Sequence, residues 1–361
     1  MTAGGAERRS AAPTIGVLYP ERYHQTPASF DAAIDALRAA QPDATVLVAE
    51  FVDPAELRTR RSIPTFRRTS DDVHHMDDHL AGVLAQVEVV LALDLPFDVA
   101  TFAPSLRWVQ AVGAGVGQLR SAGLAGAGIR LSTASGTSAP EIAEFVMARI
   151  LEHLVELPVA AARQADCSWR PAYGRAVAGT TVGLVGFGPI NRQVARLATA
   201  FGMQVRATRR HPDRSDGDAV AGVQVVGPDA LGDMVADCDV VVAALPETPD
   251  TLDVFDADVF ARMRPGALFC NVGRGTAVVD QDLVDVLVSG HLGAAALDVF
   301  RDEPLAPEHP FWTTPGLRMS AHSASVPSAS IVRVHELFHQ NLSRYVAGEP
   351  LINEVDPAIG S

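Results

Sequence analysis

Lysine is missing from all 361 residues, so the 29 basic side chains set against 43 acids are arginines without exception. Without a lysine amine the chain has neither Schiff-base chemistry nor a Walker-type phosphate loop. Cysteine is scarce too: Cys167, Cys238 and Cys270 stand far apart with no Cys-x-x-Cys pair, which excludes a zinc or disulfide framework. Two of them lie in apolar runs, and buried structural thiols are expected. Aromatics make up only 6% of residues, and no run of eighteen apolar residues offers a membrane span. The first residues lack the apolar segment of an export signal, so a cytoplasmic location is expected. A net charge of −14 argues against nucleic acid and anionic membrane as partners.

What is present is an alternation of short apolar strands and amphipathic helices, on a chain long enough for two domains. After a leader over residues 1–13, Thr14 to Tyr19 reads as a strand, Ala28 to Ala40 as a helix and Ala44 to Phe51 as a second strand. Further strands are expected at Val87 to Leu93, Leu106 to Val112 and Gly128 to Ser135, completing a small parallel sheet. Between Asp53 and Asp78 the chain turns polar, with five arginines followed by an acid- and histidine-rich run, Asp71 to Asp78. Its histidines and acids are local and lack a spaced second half-site, so no metal is expected. The stretch either leans over an active site or makes a solvated surface excursion into a helix from about Asp77 to Gln86, and the solvated reading is the expectation.

A long helix from Ala139 leads to the stretch from Val182 to Val205. That stretch reads as a strand, a glycine turn at Gly186 and Gly188, and a helix with Val194, Leu197, Ala198 and Phe201 on one face. Gly186 permits the sharp turn, Gly188 permits close backbone approach to a pyrophosphate, and the helix N-terminus offers N–H groups and a positive dipole end. The third glycine of the dinucleotide fingerprint is replaced by Asn191, and Pro189 removes one N–H while suiting a helix start. Strands then recur at Gln204 to Thr208, Val223 to Val226, Asp239 to Leu245, Ala267 to Val272 and Ala294 to Val299. Their nearly continuous apolar runs imply a parallel sheet covered on both faces. A final helix is expected over Ser328 to Val346.

Three strand ends carry chemistry. Asn271-Val-Gly-Arg-Gly-Thr places Arg274 past one strand, Asp298-Val-Phe-Arg-Asp-Glu places acids past the next, and Ser320-Ala-His places His322 past the one beyond. An arginine, a carboxylate and a histidine converging there suit hydride transfer to a 2-keto acid. Arg274 would bind the carboxylate bidentately, His322 would supply the proton, and Glu303 would favour the imidazolium and fix its tautomer.

These segments, with Leu106-Arg-Trp-Val-Gln-Ala-Val-Gly-Ala-Gly-Val, Ile142-Ala-Glu-Phe-Val and Leu245-Pro-Glu-Thr-Pro-Asp-Thr, resemble the D-isomer-specific 2-hydroxyacid dehydrogenase family over nearly the whole chain after Val87. The resemblance implies an α/β fold of two Rossmann-like domains, a doubly wound parallel-sheet dinucleotide-binding domain inserted into a smaller flavodoxin-like substrate domain. The expected boundaries are 14–137 for the first part of the substrate domain, 138–324 for the dinucleotide domain and 325–361 for the returning C-terminal helix. It also implies a homodimer, the catalytic set Arg274, Glu303 and His322, and substrate-carboxylate binding by Arg274 and the backbone of Ala114 and Gly115. Cofactor contacts are implied at Gly186, Gly188, Pro189, Ile190, Thr208, Arg209, Arg210, Leu245, Pro246, Thr251, Val272, Gly273, Asp298 and Ala324, with Asp298 holding the nicotinamide carboxamide.

Gly117 departs from the family pattern, which has aspartate there, and Ser320-Ala-His322 replaces Thr-Pro-His. Where NAD-specific proteins carry an acid at the end of the second strand, this chain carries Arg209. A guanidinium pairs with a 2′-phosphate that a carboxylate repels, so NADP(H) is expected over NAD(H). Substrate-pocket candidates are Leu95, Pro96, Trp108 and Trp312. A dinucleotide-sensing regulator without turnover is the alternative on the same scaffold.

Overall fold

The computed structural model describes residues 12–63, 65–74, 76–212 and 220–358. Apart from Ala12 and Pro13, the expected leader lies outside the described residues. The chain forms two compact units, one of Met1–Thr137 with Pro327–Ser361, the other of Ser138–Val326.

The first unit holds β1 (Thr14–Leu18), α1 (Pro27–Ala40), β2 (Thr45–Val48), α2 (Ala55–Ser62), α3 (Asp78–Leu84), β3 (Val89–Ala92), β4 (Trp108–Ala111) and β5 (Arg130–Ser132). The second holds α4 (Ala139–Leu154), α5 (Leu157–Ala165), β6 (Thr181–Val185), α6 (Pro189–Ala200), β7 (Gln204–Thr208), β8 (Gln224–Val226), α7 (Leu231–Ala236) and β9 (Val240–Ala243). It continues through α8 (Ala257–Arg262), β10 (Leu268–Asn271), α9 (Asp280–Val288), β11 (Ala294–Leu297) and β12 (Leu317–Met319). Then α10 (Pro327–Ala347) and β13 (Glu354–Val355) complete the first unit.

The first sheet runs β13-β5-β4-β3-β1-β2, parallel except for β13, which pairs antiparallel with β5 and was not expected from the sequence. Alternate side chains of each strand serve opposite faces. Ile15, Val17, Val89, Leu91 and Trp108 pack with α1 and with Ile331, Val334, Phe338, Leu342 and Tyr345 of α10. Leu18, Val90, Ala92, Val109 and Ala111 pack with Leu80, Val83 and Leu84 of α3. The start of α1 is fixed by its sequence: Thr26 and Ser29 form a reciprocal capping box, and Pro27 opens the helix.

Trp108 is therefore not a pocket residue. It is fully buried, its indole N–H donates to Ser132 Oγ at 2.9 Å, and its ring lies 5.4 Å from both Phe338 and Tyr345. Strand alternation sends it to the α10 face, where truncation to alanine would cost about 3–5 kcal/mol. Leu95 is also fully buried.

The polar stretch from Asp53 to Asp78 corrects another expectation. It forms α2 and a loop whose key charges are inside: Asp53, Arg61 and Asp72 are 5%, 1% and 3% exposed. Burial is feasible because each is paired, which a charge count along the sequence does not reveal.

The second sheet is all parallel, in the order β12-β11-β10-β9-β6-β7-β8. One face carries α4 and α6 over Val182, Leu184, Val240, Val242, Leu268 and Cys270. The other carries α7, α8 and α9 over Val185, Val241, Ala243, Phe269, Ala295 and Leu297. The chain leaves β6 toward β7 and β8, then returns to β9 on the other side, so the order reverses between β6 and β9. That is the switch point at which open α/β sheets bind ligands.

Burial pushes the thiols of Cys238 and Cys270 up to about 12, which makes them inert. Cys167 breaks the expectation of burial: it is exposed, beyond the end of α5, a helix with no buried residue. No described helix is long and apolar enough to cross a membrane.

Candidate active site

The turn after β6 is built by its glycines. Gly186 has φ +84°, and a Cβ there would meet the Ala244 carbonyl oxygen at 2.8 Å. At Gly188, the N-cap of α6, an added Cβ meets nothing within 4 Å, so the turn opens on free space at the head of the helix. First-turn N–H groups have no intrahelical acceptor, and Pro189 simply has none to offer. Asn191, in place of the third glycine, is fully buried; its amide donates to Gly186 O at 2.9 Å, Val185 O at 3.2 Å and Val242 O at 3.3 Å. Hydrogen bonds thus fasten helix to strand where a glycine would allow bare contact. Open space at Gly188 beside a helix N-terminus fits a dinucleotide pyrophosphate, and Ile190 follows in the same first turn.

The neighbouring strand ends supply the other expected cofactor positions. Thr208 is buried at the end of β7, Arg209 follows with its N–H on Val226 O at 3.0 Å, and Arg210 pairs with Asp250 at 2.9 Å. Past β9, Thr251 Oγ1 donates to Pro246 O at 2.6 Å and accepts from Thr248 N at 2.9 Å, knotting the loop that begins at Leu245. A Cβ on Gly273 would fall 2.5 Å from Leu245 N, so the β9 and β10 loops lie backbone to backbone, with Val272 buried beside them.

Past β10 the turn is folded by Asn271, a residue that the expected site omits. Its Nδ2 donates to Arg274 O at 2.9 Å and its Oδ1 accepts from Gly273 N at 3.0 Å. An Asn that closes a turn on its own backbone two residues ahead is the one sequence signal that could have found it. Arg274 is half-buried, and its Nη1 donates to Gly273 O at 2.7 Å, the one side-chain hydrogen bond it makes among the described residues. Burial lowers its proton affinity, Glu247 and Glu303 offset only part of that, and the group still stays cationic. Gly275 explains the proximity of Glu303: a Cβ there would fall 1.9 Å from the Phe300 carbonyl carbon.

Glu303 and His322 are brought together. The carboxylate takes Phe300 N–H at 3.0 Å and His322 Nδ1 at 2.8 Å. Burial alone would raise the Glu303 carboxyl, but the hydrogen bond and charge of His322, the Phe300 amide and Arg274 outweigh it, and the net shift is downward. Glu303 is thus an anion across the range in which imidazole titrates. His322 sits in the left-handed region at φ +48°, held by its N–H to Asp298 O at 2.8 Å and Ser320 O at 3.0 Å. Such strain in a non-glycine residue persists only where surroundings impose it.

The side chain of Asp298 holds the residues on either side of His322. Oδ1 accepts from Ser320 Oγ at 2.6 Å and Ser323 N at 2.8 Å, and Oδ2 accepts from Ala324 N at 3.0 Å. Ser320, a departure from the family pattern, is thereby a structural member of the site. Trp312 is exposed, with its indole N–H donating to Ala306 O at 2.8 Å. Ala114 and Gly115 belong to the first unit, in the exposed loop after β4, where neither amide donates to any group among the described residues.

The chain is similar to known proteins in sequence and in fold. Residues 147–324 match the family model described as the NAD binding domain of D-isomer specific 2-hydroxyacid dehydrogenases. A glyoxylate/hydroxypyruvate reductase A of Serratia proteamaculans is 31% identical over 264 residues, 71% of this chain and 82% of that one. Among solved structures, a D-isomer specific 2-hydroxyacid dehydrogenase of Xanthobacter autotrophicus in complex with NADPH and MES superposes with TM-score 0.74 at 26% identity, over 97% of this chain and 100% of that one. An NADPH-dependent glyoxylate/hydroxypyruvate reductase of Sinorhizobium meliloti, in complex with NADP and sulfate, gives 0.72 at 26% identity, over 96% and 100%. The chain belongs to the D-isomer-specific 2-hydroxyacid dehydrogenases, oxidoreductases that act on a CH–OH group.

Proposed function

We propose that this protein reduces a small 2-keto acid of the glyoxylate, hydroxypyruvate or aryl-pyruvate type to the D-2-hydroxy acid, with NADP(H) preferred over NAD(H). The observation that carries the reading is the Glu303–His322 contact at 2.8 Å through Nδ1. It fixes the ring so that Nε2, which has no partner among the described residues, carries the transferable proton. When bound, a nicotinamide dinucleotide supplies the hydride.

His322 Nε2 gives its proton to the carbonyl oxygen as charge develops there, and Glu303 stabilises the imidazolium and sets the tautomer. Arg274 keeps Nε and Nη2 for the carboxylate and carbonyl of the keto acid, and partial burial strengthens that charge-assisted contact. Asp298 organises the loop that carries His322 and is the candidate partner of the carboxamide. The open amides of Ala114 and Gly115 suit a carboxylate. Arg209, past the end of β7, suits a 2′-phosphate, with Arg210 and Thr208 beside it. A homodimer is supported by α5, none of whose residues is buried, and by Trp169 and Tyr173 after it, 101% and 88% exposed.

The test is loss of nicotinamide absorbance with glyoxylate, hydroxypyruvate and phenylpyruvate, each with NADPH and NADH, for the wild type and Arg209→Asp. Oxidation faster with NADPH, and a preference moved toward NADH by about tenfold or more in the variant, is expected. Equal loss with both cofactors removes the 2′-phosphate role. Binding of either cofactor without oxidation by any keto acid overturns the reductase reading in favour of a sensor.

A further inference from the structure

The polar stretch after β2, to which the reaction assigns no part, closes on the loops of its own sheet. Leu57 and Arg61 lie one turn apart on α2 and are its buried residues. Arg61 reaches three strand-end loops at once. Its Nη1 donates to Asp53 after β2 and to Asp94 Oδ1 after β3 at 3.0 Å, its Nη2 to Leu95 O at 2.7 Å, and its Nε to Ser121 Oγ at 2.8 Å. Ser121 stands in the 3-10 turn Gly117–Ala122, which continues directly from the loop after β4.

The other end of the network is closed by His74. Its Nε2 accepts from Phe97 N at 2.7 Å, so the proton sits on Nδ1, which donates to Asp53 Oδ1 at 2.8 Å. Asp94 is held by Leu95 N at 2.8 Å and Asp53 N at 3.2 Å.

A second contact joins the same pieces. The Ser62 carbonyl oxygen lies 2.9 Å from where a Cβ on Gly117 would stand, and it accepts from Arg120 Nη2 at 3.3 Å. Gly117, the position that departs from the family pattern, has no room for a side chain because α2 passes there.

We propose that Arg61 is a positioning residue for the Gly113–Val116 loop: anchored on Asp53 and Asp94, it holds the following turn through Ser121 and so fixes the direction of the Ala114 and Gly115 amides. The proposal rests on the reading of those amides given above. A guanidinium suits this work because its planar, rigid donors bind several loops in one geometry. Among the described residues the amides themselves have no partner to hold them, so their direction is inherited from what flanks them.

The experiment is steady-state reduction of glyoxylate with NADPH, and NADPH affinity by fluorescence titration, on the full chain. Replacing Arg61 itself strands two buried acids, so the test uses Ser121→Ala, which removes only the tether, and Gly117→Ala, which forces Ser62 away. Both are expected to raise KM for glyoxylate by about tenfold with kcat and NADPH affinity nearly unchanged, while Ser121→Thr, which keeps the hydroxyl, restores KM. Ala114→Pro, which deletes an amide, raises KM at least as much. Wild-type KM in both Ser121→Ala and Gly117→Ala, with Ala114→Pro impaired, overturns the positioning role alone. Wild-type KM in Ala114→Pro overturns the reading of the amides and the positioning role with it.

Discussion

Both sheets gather charged side chains at the carboxyl ends of their parallel strands, and the two collections have opposite characters. In the first unit Arg61, Asp53 and Asp94 are buried, and with the half-buried His74 they answer one another's hydrogen bonds. In the second, Arg274 and Glu303 are half-buried, His322 is half exposed, and Arg274 Nε and Nη2 and His322 Nε2 have no partner among the described residues. A charge closed on its neighbours fixes loops; a charge with donors left over is ready for a ligand. Along the sequence the two are alike, since each is a scatter of arginines, acids and histidines between strands.

The contrast can be broken at its strongest point first. His322→Ala should lower kcat by on the order of 10²–10⁴-fold, with NADPH affinity and thermal midpoint almost unchanged. Near wild-type turnover would sink the general-acid assignment. Arg61→Met should do the reverse, destabilising the protein by about 3–5 kcal/mol in a denaturant titration, because two buried acids lose their partner. A variant as stable as the parent would mean that the cluster is not closed on itself.

A third group in the first unit sharpens the comparison through pH. His335, on α10, is buried against Tyr19, whose hydroxyl lies 2.6 Å from its Nε2. Burial, with His24 and His339 adding to it, holds its pKa down to about 4. The unfolded chain takes up a proton near pH 6.5 and the folded chain does not until about 4. Stability should therefore fall as pH drops through that window, by up to about 3 kcal/mol, and stay flat above it. Melting curves of wild type and His335→Gln from pH 7.5 to 4 check this; an equally steep fall in the variant would assign the effect elsewhere.

Legibility followed periodicity. The strands from Val182 to Val299 and the helix from Ala139 were readable because burial on both faces demands apolar runs, and with them the strand-end positions of Gly186, Gly188, Arg274, Glu303 and His322. Strand β13 was not, since two residues carry no period and depend on β5 for pairing. Trp108 looked like a pocket residue because aromatic character gives no direction, whereas its place in β4 sends it into the core. The segment after β2 looked solvated because a count of charges cannot say which of them meet.

By itself, then, the sequence determined the two α/β units, the glycine turn after β6 and the chemical types at the strand ends, because local spacing and side-chain chemistry are written residue by residue. Tertiary structure alone decided that Glu303 orients His322, that Asn191 replaces a glycine contact with hydrogen bonds, and that Arg61 is a buried keystone rather than a surface cation. Each of these depends on partners between 5 and 60 residues away. Desolvation and pairing are properties of a place in the fold, and no window of sequence contains that place.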